Sequence, residues 1–196
     1  MNISGPDQLA DWLNNNGIDT SHWGIGNAKS LNDLWHEILV GESHFQSHSL
    51  LRRVEVSSVR IIQRVVYSRD PSIESKDWQL IEAVQIFHDG RKRFPNRNPS
   101  EKMKRGETPE EAAWRCLYEE VGCTETDVIN SPKLIHTEER RLESPSYPGL
   151  ESLFTMHLLE CRVQGLPEHE FQTVNQAGHD PVATIQWRWE ELAYNQ

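Results

Sequence analysis

Apolar residues recur at helical spacing in two stretches near the start of the chain. The first lies between Asp7 and Asn14, and an Asn-Asn-Asn-Gly run ends it. The second follows Ser30, a natural N-cap with Asp33 three residues later. Its apolar stripe consists of Leu31, Leu34, Trp35, Ile38 and Leu39. The sequence therefore predicts two helices, and the second stripe either packs against the rest of the chain or forms the face of a homodimer.

Strand patterns dominate the rest of the chain. The β-branched stretch from Leu51 to Tyr67 and the stretch from Trp78 to Phe87 predict two strands. Asp89-Gly90 is a strong hairpin signal, so a returning strand is expected over Arg91–Phe94. Further strands are predicted at Lys133–Thr137, Leu153–Val163 and Ala183–Trp189, and a last helix is predicted to begin at Glu190–Ala193.

Between these strands lies one well-marked helix. Thr108 is a natural N-cap, Pro109 suits the first helical position, and Glu111 completes a capping box. Gly122 supplies the residue that turns left-handed after the last turn. The pattern predicts a helix over Pro109–Val121.

The order of elements predicts the fold class. Strands, a helix, more strands and a final helix make an α+β chain, of the α/β/α sandwich type with a mixed sheet. The length of 196 residues suits one domain with an extension. We therefore expect an N-terminal helical extension over 1–49 and a domain over 50–196.

Charge narrows the range of partners. The net charge of -10 argues against general binding to nucleic acid or to an anionic membrane surface, because both repel an acidic protein. No apolar run reaches the length of a membrane span, and no signal-peptide pattern opens the chain. The three cysteines have no metal-ligand spacing, which favours a reducing, cytoplasmic location.

Positive charge is concentrated just before the helix. The stretch from Arg91 to Arg105 carries seven basic residues and one acid, a local +6, whereas the rest of the chain carries 13 basic and 29 acidic residues, or -16. A basic loop beside acidic side chains is expected where phosphates meet a metal ion. Arg97, Lys102 and Arg105 are the candidate phosphate-binding residues, although a solvated surface would show the same composition.

The helix gathers side chains that carry chemistry. Cys116, Glu119 and Glu120 lie at i, i+3 and i+4 and therefore share one patch. Two adjacent carboxylates repel each other unless a cation lies between them. Glu107 lies eight residues before Arg115, and the two are expected to pair across the start of the helix.

These residues resemble the Nudix box, whose pattern is G-x5-E-x7-R-E-U-x-E-E-x-G-U with U aliphatic. Its matching positions here are Glu107, Arg115, Leu117, Glu119, Glu120 and Gly122. The box's opening glycine is replaced by Glu101, and the glutamate after the arginine is replaced by Cys116. The final aliphatic position carries Cys123. The resemblance covers about Leu51 to Ala193 and implies the Nudix fold.

The resemblance also implies a function. Nudix hydrolases cleave diphosphate linkages, which here implies a small-molecule nucleoside diphosphate derivative as substrate. Glu119 and Glu120 would hold the divalent metal, Mg²⁺ or Mn²⁺, and Glu107 and Arg115 would form a structural pair. A thiol is a poor ligand for a hard cation, so Cys116 leaves the general base without its usual residue. Glu101 is the first candidate to replace it.

Two alternatives stay open at the level of sequence. Further ligands or the base can come from the region after the box, whose candidates are His136, Glu138, Glu139, Glu143 and Glu151. The second alternative is a protein of a different functional class. The two departures from the box also fit a catalytically inactive Nudix-fold module that binds a ligand or regulates a partner.

Overall fold

The computed structural model describes residues 3–46, 49–66, 75–175 and 181–192. Within them the α-helices are α1 (Pro6–Asn15), α2 (Leu31–Leu39) and α3 (Pro109–Cys116). The strands are β1 (His44–Phe45), β2 (Arg52–Val66), β3 (Ser75–Phe87), β4 (Lys92–Arg93), β5 (Ser100–Lys102), β6 (Val128–Glu143), β7 (Glu151–Val163), β8 (Phe171–Val174) and β9 (Val182–Glu191). This composition confirms the mixed α+β class with a mixed sheet. None of the described helices has the length and apolar character that crossing a membrane requires.

The chain forms two compact units, and neither is one continuous stretch. The smaller consists of Met1–Val56, Lys102–Thr108 and Thr137–His157. The larger consists of Ser57–Glu101, Pro109–His136 and Leu158–Gln196. The division of the chain into an extension over 1–49 and a domain over 50–196 stays a prediction.

The smaller unit contains both predicted N-terminal helices. The Ser30 hydroxyl accepts a hydrogen bond from the Asp33 N–H at 3.2 Å, and the Asp33 carboxylate accepts one from the Ser30 N–H at 2.7 Å. These reciprocal bonds satisfy N–H groups that a helix start leaves without partners, which is why α2 begins at Leu31. The core of this unit is formed by Leu9, Leu13, Trp23, Leu34, Tyr147 and Leu150.

The strand order of the sheet is β6-β7-β2-β3-β9-β8, and β3, β8 and β9 lie wholly in the larger unit. Strand β3 pairs antiparallel with both β2 and β9, and β9 pairs antiparallel with β8. Trp187 and Ile185 alternate with polar residues along β9 and are buried, as the period-two pattern predicts. The fully buried members of this core include Val59, Ile61, Leu80, Ala113, Cys116, Leu117, Leu159 and Ile185.

The predicted hairpin after β3 is confirmed. The Phe87 N–H donates to the Arg91 carbonyl at 2.9 Å, and Gly90 closes the turn at φ 84°. This left-handed backbone favours glycine, since a side chain there would crowd the following carbonyl. The returning strand β4 is only two residues long, shorter than expected, because Pro95 soon interrupts it.

Two expectations need correction. The helix predicted to begin at Glu190 is wrong for Glu190 and Glu191, which lie in β9 opposite Gln79 and Trp78 of β3. Hydrogen bonds to β3 there outweigh the local helix preference. Ala193, also placed in that helix, lies outside the described residues. Strand β6 is much longer than Lys133–Thr137 and contains Pro132, which is tolerated at the end of a sheet. The short strands β1, β5 and β8 were not predicted.

Candidate active site

The box helix, which runs from Pro109 to Val121 and carries most of the Nudix box, has the predicted extent but an unexpected last turn. Helix α3 gives way at Leu117 to a π-helical turn over Leu117–Val121. The N–H groups of Gly122 and Cys123 both donate to the Leu117 carbonyl, the latter at 2.8 Å. Gly122 has φ 80°, so the helix ends in the left-handed residue that the sequence predicts. The two box acids therefore lie in a wider turn than that of an α-helix.

Arg115 holds two carboxylates within the larger unit. Its guanidinium lies 3.0 Å from a carboxylate oxygen of Glu101 and 3.5 Å from one of Glu119. The side chains of Arg115 and Glu101 are each only 14% exposed, so water screens this pair weakly. Strand β5 therefore brings the residue that replaces the box's opening glycine to the box helix.

Glu120 has a different environment from its neighbour. It is only 8% exposed, and the Asn175 side-chain amide donates to its carboxylate at 3.3 Å. The Thr173 hydroxyl donates to the Glu120 backbone carbonyl at 2.6 Å and accepts from the Trp187 ring N–H at 2.8 Å. Strand β8 thus supports the end of the box helix. Nothing in the sequence pattern singled out Asn175 or Thr173.

Cys116 is fully buried. Burial raises the pKa of its thiol well above the ordinary value of 9.0, and the nearby carboxylates of Glu101, Glu120 and Glu82 raise it further against the opposing charge of Arg115. The group is therefore a neutral thiol at physiological pH, unable to act as an anionic ligand or as a base.

Glu82 of β3 is a buried acid that the sequence analysis missed. It is 3% exposed, and its carboxylate accepts hydrogen bonds from the Gln85 amide and from the Arg97 Nε, the latter at 3.1 Å. Arg93 in turn donates from its Nε to the Gln85 side-chain oxygen at 2.7 Å. An acid inside the apolar run Leu80–Val84 was the available signal, because buried acids are rare without a specific partner.

The three candidate phosphate-binding residues belong to different units. Arg97 lies in the larger unit, and its side chain is 51% exposed while its Nε contacts Glu82. Lys102 and Arg105 lie in the smaller unit, where Lys102 pairs with the buried Glu37 and, at 3.6 Å, with Glu42. Phosphate binding by all three stays a prediction.

Glu37 is the centre of an ion cluster in the smaller unit. Besides Lys102, it contacts Arg52 at 2.5 Å and Lys29 at 3.1 Å. Burial alone would raise the pKa of Glu37, but the charges of Lys102, Lys29 and Arg52 outweigh it and hold that pKa far below its ordinary value. The carboxylate is therefore ionised at every physiological pH.

Glu107 closes a tight turn before the helix. Its carboxylate accepts from the Lys104 N–H at 2.7 Å, and its own N–H donates to the Lys104 carbonyl at 3.0 Å. Gly106, with φ 83°, makes the turn possible. The pairing of Glu107 with Arg115 and the capping box at Thr108 stay predictions.

The candidates after the box lie on β6 and β7 and are mostly engaged in surface contacts. The closest carboxylate contacts are Glu138 with Arg140 at 2.7 Å, Glu151 with Arg141 at 2.7 Å, and Glu143 with the Gly149 N–H at 2.9 Å. These side chains are exposed, which is the ordinary state of surface acids. A role for any of them, or for His136 or Glu139, stays a prediction.

A divalent ion such as Mg²⁺ requires oxygen ligands, and the box offers the carboxylates of Glu119 and Glu120. Across the described part of the chain, no three His, Cys, Asp or Glu side chains are arranged to hold a metal ion together. Mg²⁺, however, commonly binds through one or two carboxylates, with substrate phosphates and water completing its shell. The hard oxygen donors of Glu119 and Glu120 fit that mode, whereas the thiol of Cys116 does not.

Comparison with known proteins gives one finding. A search of curated proteins found no match. A family model described as the NUDIX domain matches residues 77–193, which is more than half of the chain and includes the whole box helix. The match supports a Nudix-type hydrolase in general. Enzymes of that family act on small-molecule substrates and generally need divalent metal ions. By this match, the chain belongs to the Nudix family.

Proposed function

We propose that the protein hydrolyses a diphosphate linkage in a nucleoside diphosphate derivative, depends on Mg²⁺ or Mn²⁺, and has reduced activity. The observation that carries this proposal is the placement of the two box acids. Glu120 is 8% exposed beside Asn175, and the Glu119 side chain, 25% exposed, lies 3.5 Å from Arg115. An ion site that needs both acids is compatible with this arrangement.

In this proposal Glu119 and Glu120 hold the metal, which would polarise a phosphoryl oxygen and lower the pKa of a bound water. Arg97 contacts a substrate phosphate through its exposed guanidinium, and Lys102 and Arg105 stay predicted phosphate-binding residues. Glu107 and Arg115 keep the loop and the helix in register. The Glu101 carboxylate, held 3.0 Å from Arg115, adds an acid beside Glu119.

Reduced activity follows from the residue at position 116. Loss of a group that acts as a general base commonly costs about two to four orders of magnitude in rate. A fully buried, neutral thiol cannot replace that group. We therefore expect slow turnover relative to a protein with the complete box, unless another carboxylate takes the role of that group.

The experiment compares wild type, Glu120→Gln and Cys116→Glu on ADP-ribose, UDP-glucose and NAD⁺, with Mg²⁺ or Mn²⁺. Turnover in wild type that Glu120→Gln reduces at least about a hundredfold would support the proposal. Glu125 is an exposed acid shortly after the box helix, so Glu125→Gln is the matched control and should retain full activity.

The second candidate is a Nudix-fold module that binds a ligand without hydrolysing it. The burial of a neutral Cys116 at the position of the box glutamate favours it. For this candidate, wild type would bind the panel without turnover, and only Cys116→Glu would show activity.

We further propose a cytoplasmic protein with an N-terminal helical extension, acting on small molecules as a monomer or a homodimer. The three free, buried thiols and the net charge of -10 support this setting.

A further inference from the structure

The box lacks an oxygen base at position 116, and β3 presents a carboxylate close to that position. Glu82 is 3% exposed and lies opposite Trp187 of β9, which belongs to the same buried core as Cys116. Its negative charge is also one of those that raise the pKa of the Cys116 thiol. It lies far from the box in sequence and reaches this region only through the fold. Cys116, where the box lacks its glutamate, and Glu82, the acid on β3, therefore lie in the same part of the larger unit.

The backbone at Glu82 is irregular. The register between β3 and β9 shifts between Glu82 and Val84, which is a bulge in the ladder. Bulges are frequent next to active sites, where they turn a side chain to a new direction. The Glu82 backbone N–H donates to the Arg97 carbonyl at 2.8 Å. The irregularity of β3 thus lies next to the buried acid Glu82.

Two hydrogen-bond donors orient the carboxylate of Glu82. Gln85 donates to one oxygen and Arg97 to the other at 3.1 Å. A carboxylate offers about four lone-pair sites, so these two donors leave acceptor capacity. Arg97, which contacts this carboxylate, is also a phosphate-binding candidate with a side chain that is 51% exposed.

We propose that Glu82 is the general base of this protein and supplies from β3 the carboxylate that the box lacks at Cys116. This inference rests on the proposed function. In the step, the oxygen of a water forms a new P–O bond while the bridging P–O bond of the diphosphate breaks. The electron pair of the broken bond stays on the leaving phosphate. One water proton passes to Glu82 and then to solvent, and the other stays on the new phosphate group.

The test is a rescue experiment with the substrate panel and Mn²⁺. Glu82→Gln keeps the size of the side chain and one of its two acceptor oxygens but cannot accept the proton, so kcat should fall about 10²- to 10⁴-fold with KM changed less than about threefold. Adding Cys116→Glu to that variant returns a carboxylate to the same region and should recover at least about tenfold in kcat. Cys116→Gln in the same background, of equal size but uncharged, should recover nothing.

Two further measurements separate this role from a structural one. Asp77→Asn changes another buried acid of β3, which contacts Arg64 at 2.9 Å and Arg162 at 3.1 Å, and should lower stability while leaving kcat within about threefold. Mn²⁺ affinity, measured by electron paramagnetic resonance, should stay within about threefold in Glu82→Gln, because the base does not bind the metal.

The outcomes are distinct. Wild-type turnover that Glu82→Gln leaves unchanged would overturn this inference alone, as would an active Cys116→Glu that gives no rescue in the double variant. A parallel fall in Mn²⁺ affinity and kcat would make Glu82 a ligand and overturn its role as base. Absence of turnover in wild type would overturn the proposed function and this inference together.

Discussion

The Arg115 guanidinium lies 3.0 Å from the carboxylate of Glu101, the residue that replaces the first glycine of the box. Because both side chains are largely buried, removing the charge of one leaves the other poorly solvated. Glu101→Gln should therefore lower the free energy of unfolding by about 1–3 kcal/mol, measured by urea denaturation. Glu125→Gln, at an exposed acid, should change it by less than about 0.5 kcal/mol. Equal values for the two variants would remove the ion pair from the determinants of stability.

Acid should destabilise the smaller unit through Glu37. Its pKa in the folded protein lies far below the ordinary value of 4.5, so near that pH the unfolded chain binds the proton more readily than the folded one. The contribution is complete above about pH 5 and is lost as pH falls toward the folded pKa. Denaturant unfolding followed by tryptophan fluorescence between pH 3.5 and 7 would measure this slope.

Removing the Glu37 charge should also reduce stability at neutral pH. Glu37→Gln leaves Arg52 buried without its ionised partner, and the expected cost is about 3–5 kcal/mol at pH 7. The variant should lose part of the acid dependence, whereas Glu168→Gln, at an exposed position, should retain the wild-type slope. A slope unchanged in Glu37→Gln would place the acid sensitivity elsewhere.

Much of this architecture was predictable from the sequence because local signals agreed with the fold. The capping box at Ser30, the Asp89-Gly90 turn and the left-handed Gly122 each act through a few neighbouring residues, and each is confirmed. The final helix was wrong because pairing of Glu190 with Gln79, distant in sequence, decided its conformation.

The site was only partly predictable for the same reason. The box identified Glu119, Glu120 and Arg115 by spacing alone, but the contacts of Glu82 and Asn175 depend on which strands lie beside the box helix. The pattern within one strand does not determine its neighbours, so these residues appear only when the sheet order is known.

Two glycines with nearly equal backbone angles should respond differently to substitution. Gly122 has φ +80° and open space where a Cβ would lie, so Gly122→Ala should cost about 1–2 kcal/mol from backbone strain alone. Gly41 has φ +82°, and a Cβ there would lie 2.9 Å from the Arg105 Cβ and 3.0 Å from its backbone nitrogen. Gly41→Ala should therefore cost at least about 1 kcal/mol more, measured by urea denaturation. Equal costs would mean that the loop at Arg105 moves freely.

The three thiols should be unreactive in the folded protein. Burial raises the pKa of Cys123 and of Cys161 to about 12, and that of Cys116 well above 9.0. Reaction with a disulfide reagent at pH 8 should be at least about a hundredfold slower than in the unfolded chain, where all three thiols react. Prompt reaction of one thiol in the native protein would show local opening around it, which the matching Cys→Ser variant would identify.

Metal and diphosphate should bind together. Two carboxylates without a third ligand give a weak site for Mg²⁺ alone, whereas phosphate oxygens complete the shell. Mg²⁺ and ADP together should raise Tm by at least about twice the sum of their separate effects, and EDTA should remove the excess. Glu120→Gln should abolish it as well. Additive shifts in the wild type would favour a module that binds the nucleotide without metal.

The π-helical turn over Leu117–Val121 makes the direction of the box acids sensitive to chain length. A residue in an α-helix advances by about 100° around the axis, so deleting one residue from a widened turn restores regular winding and rotates everything beyond it. Deletion of Tyr118, whose side chain is exposed, would thus reorient the acids together with the buried Val121 that follows them. The direction in which the box acids point therefore depends on the number of residues in this turn as well as on the chemistry of the side chains.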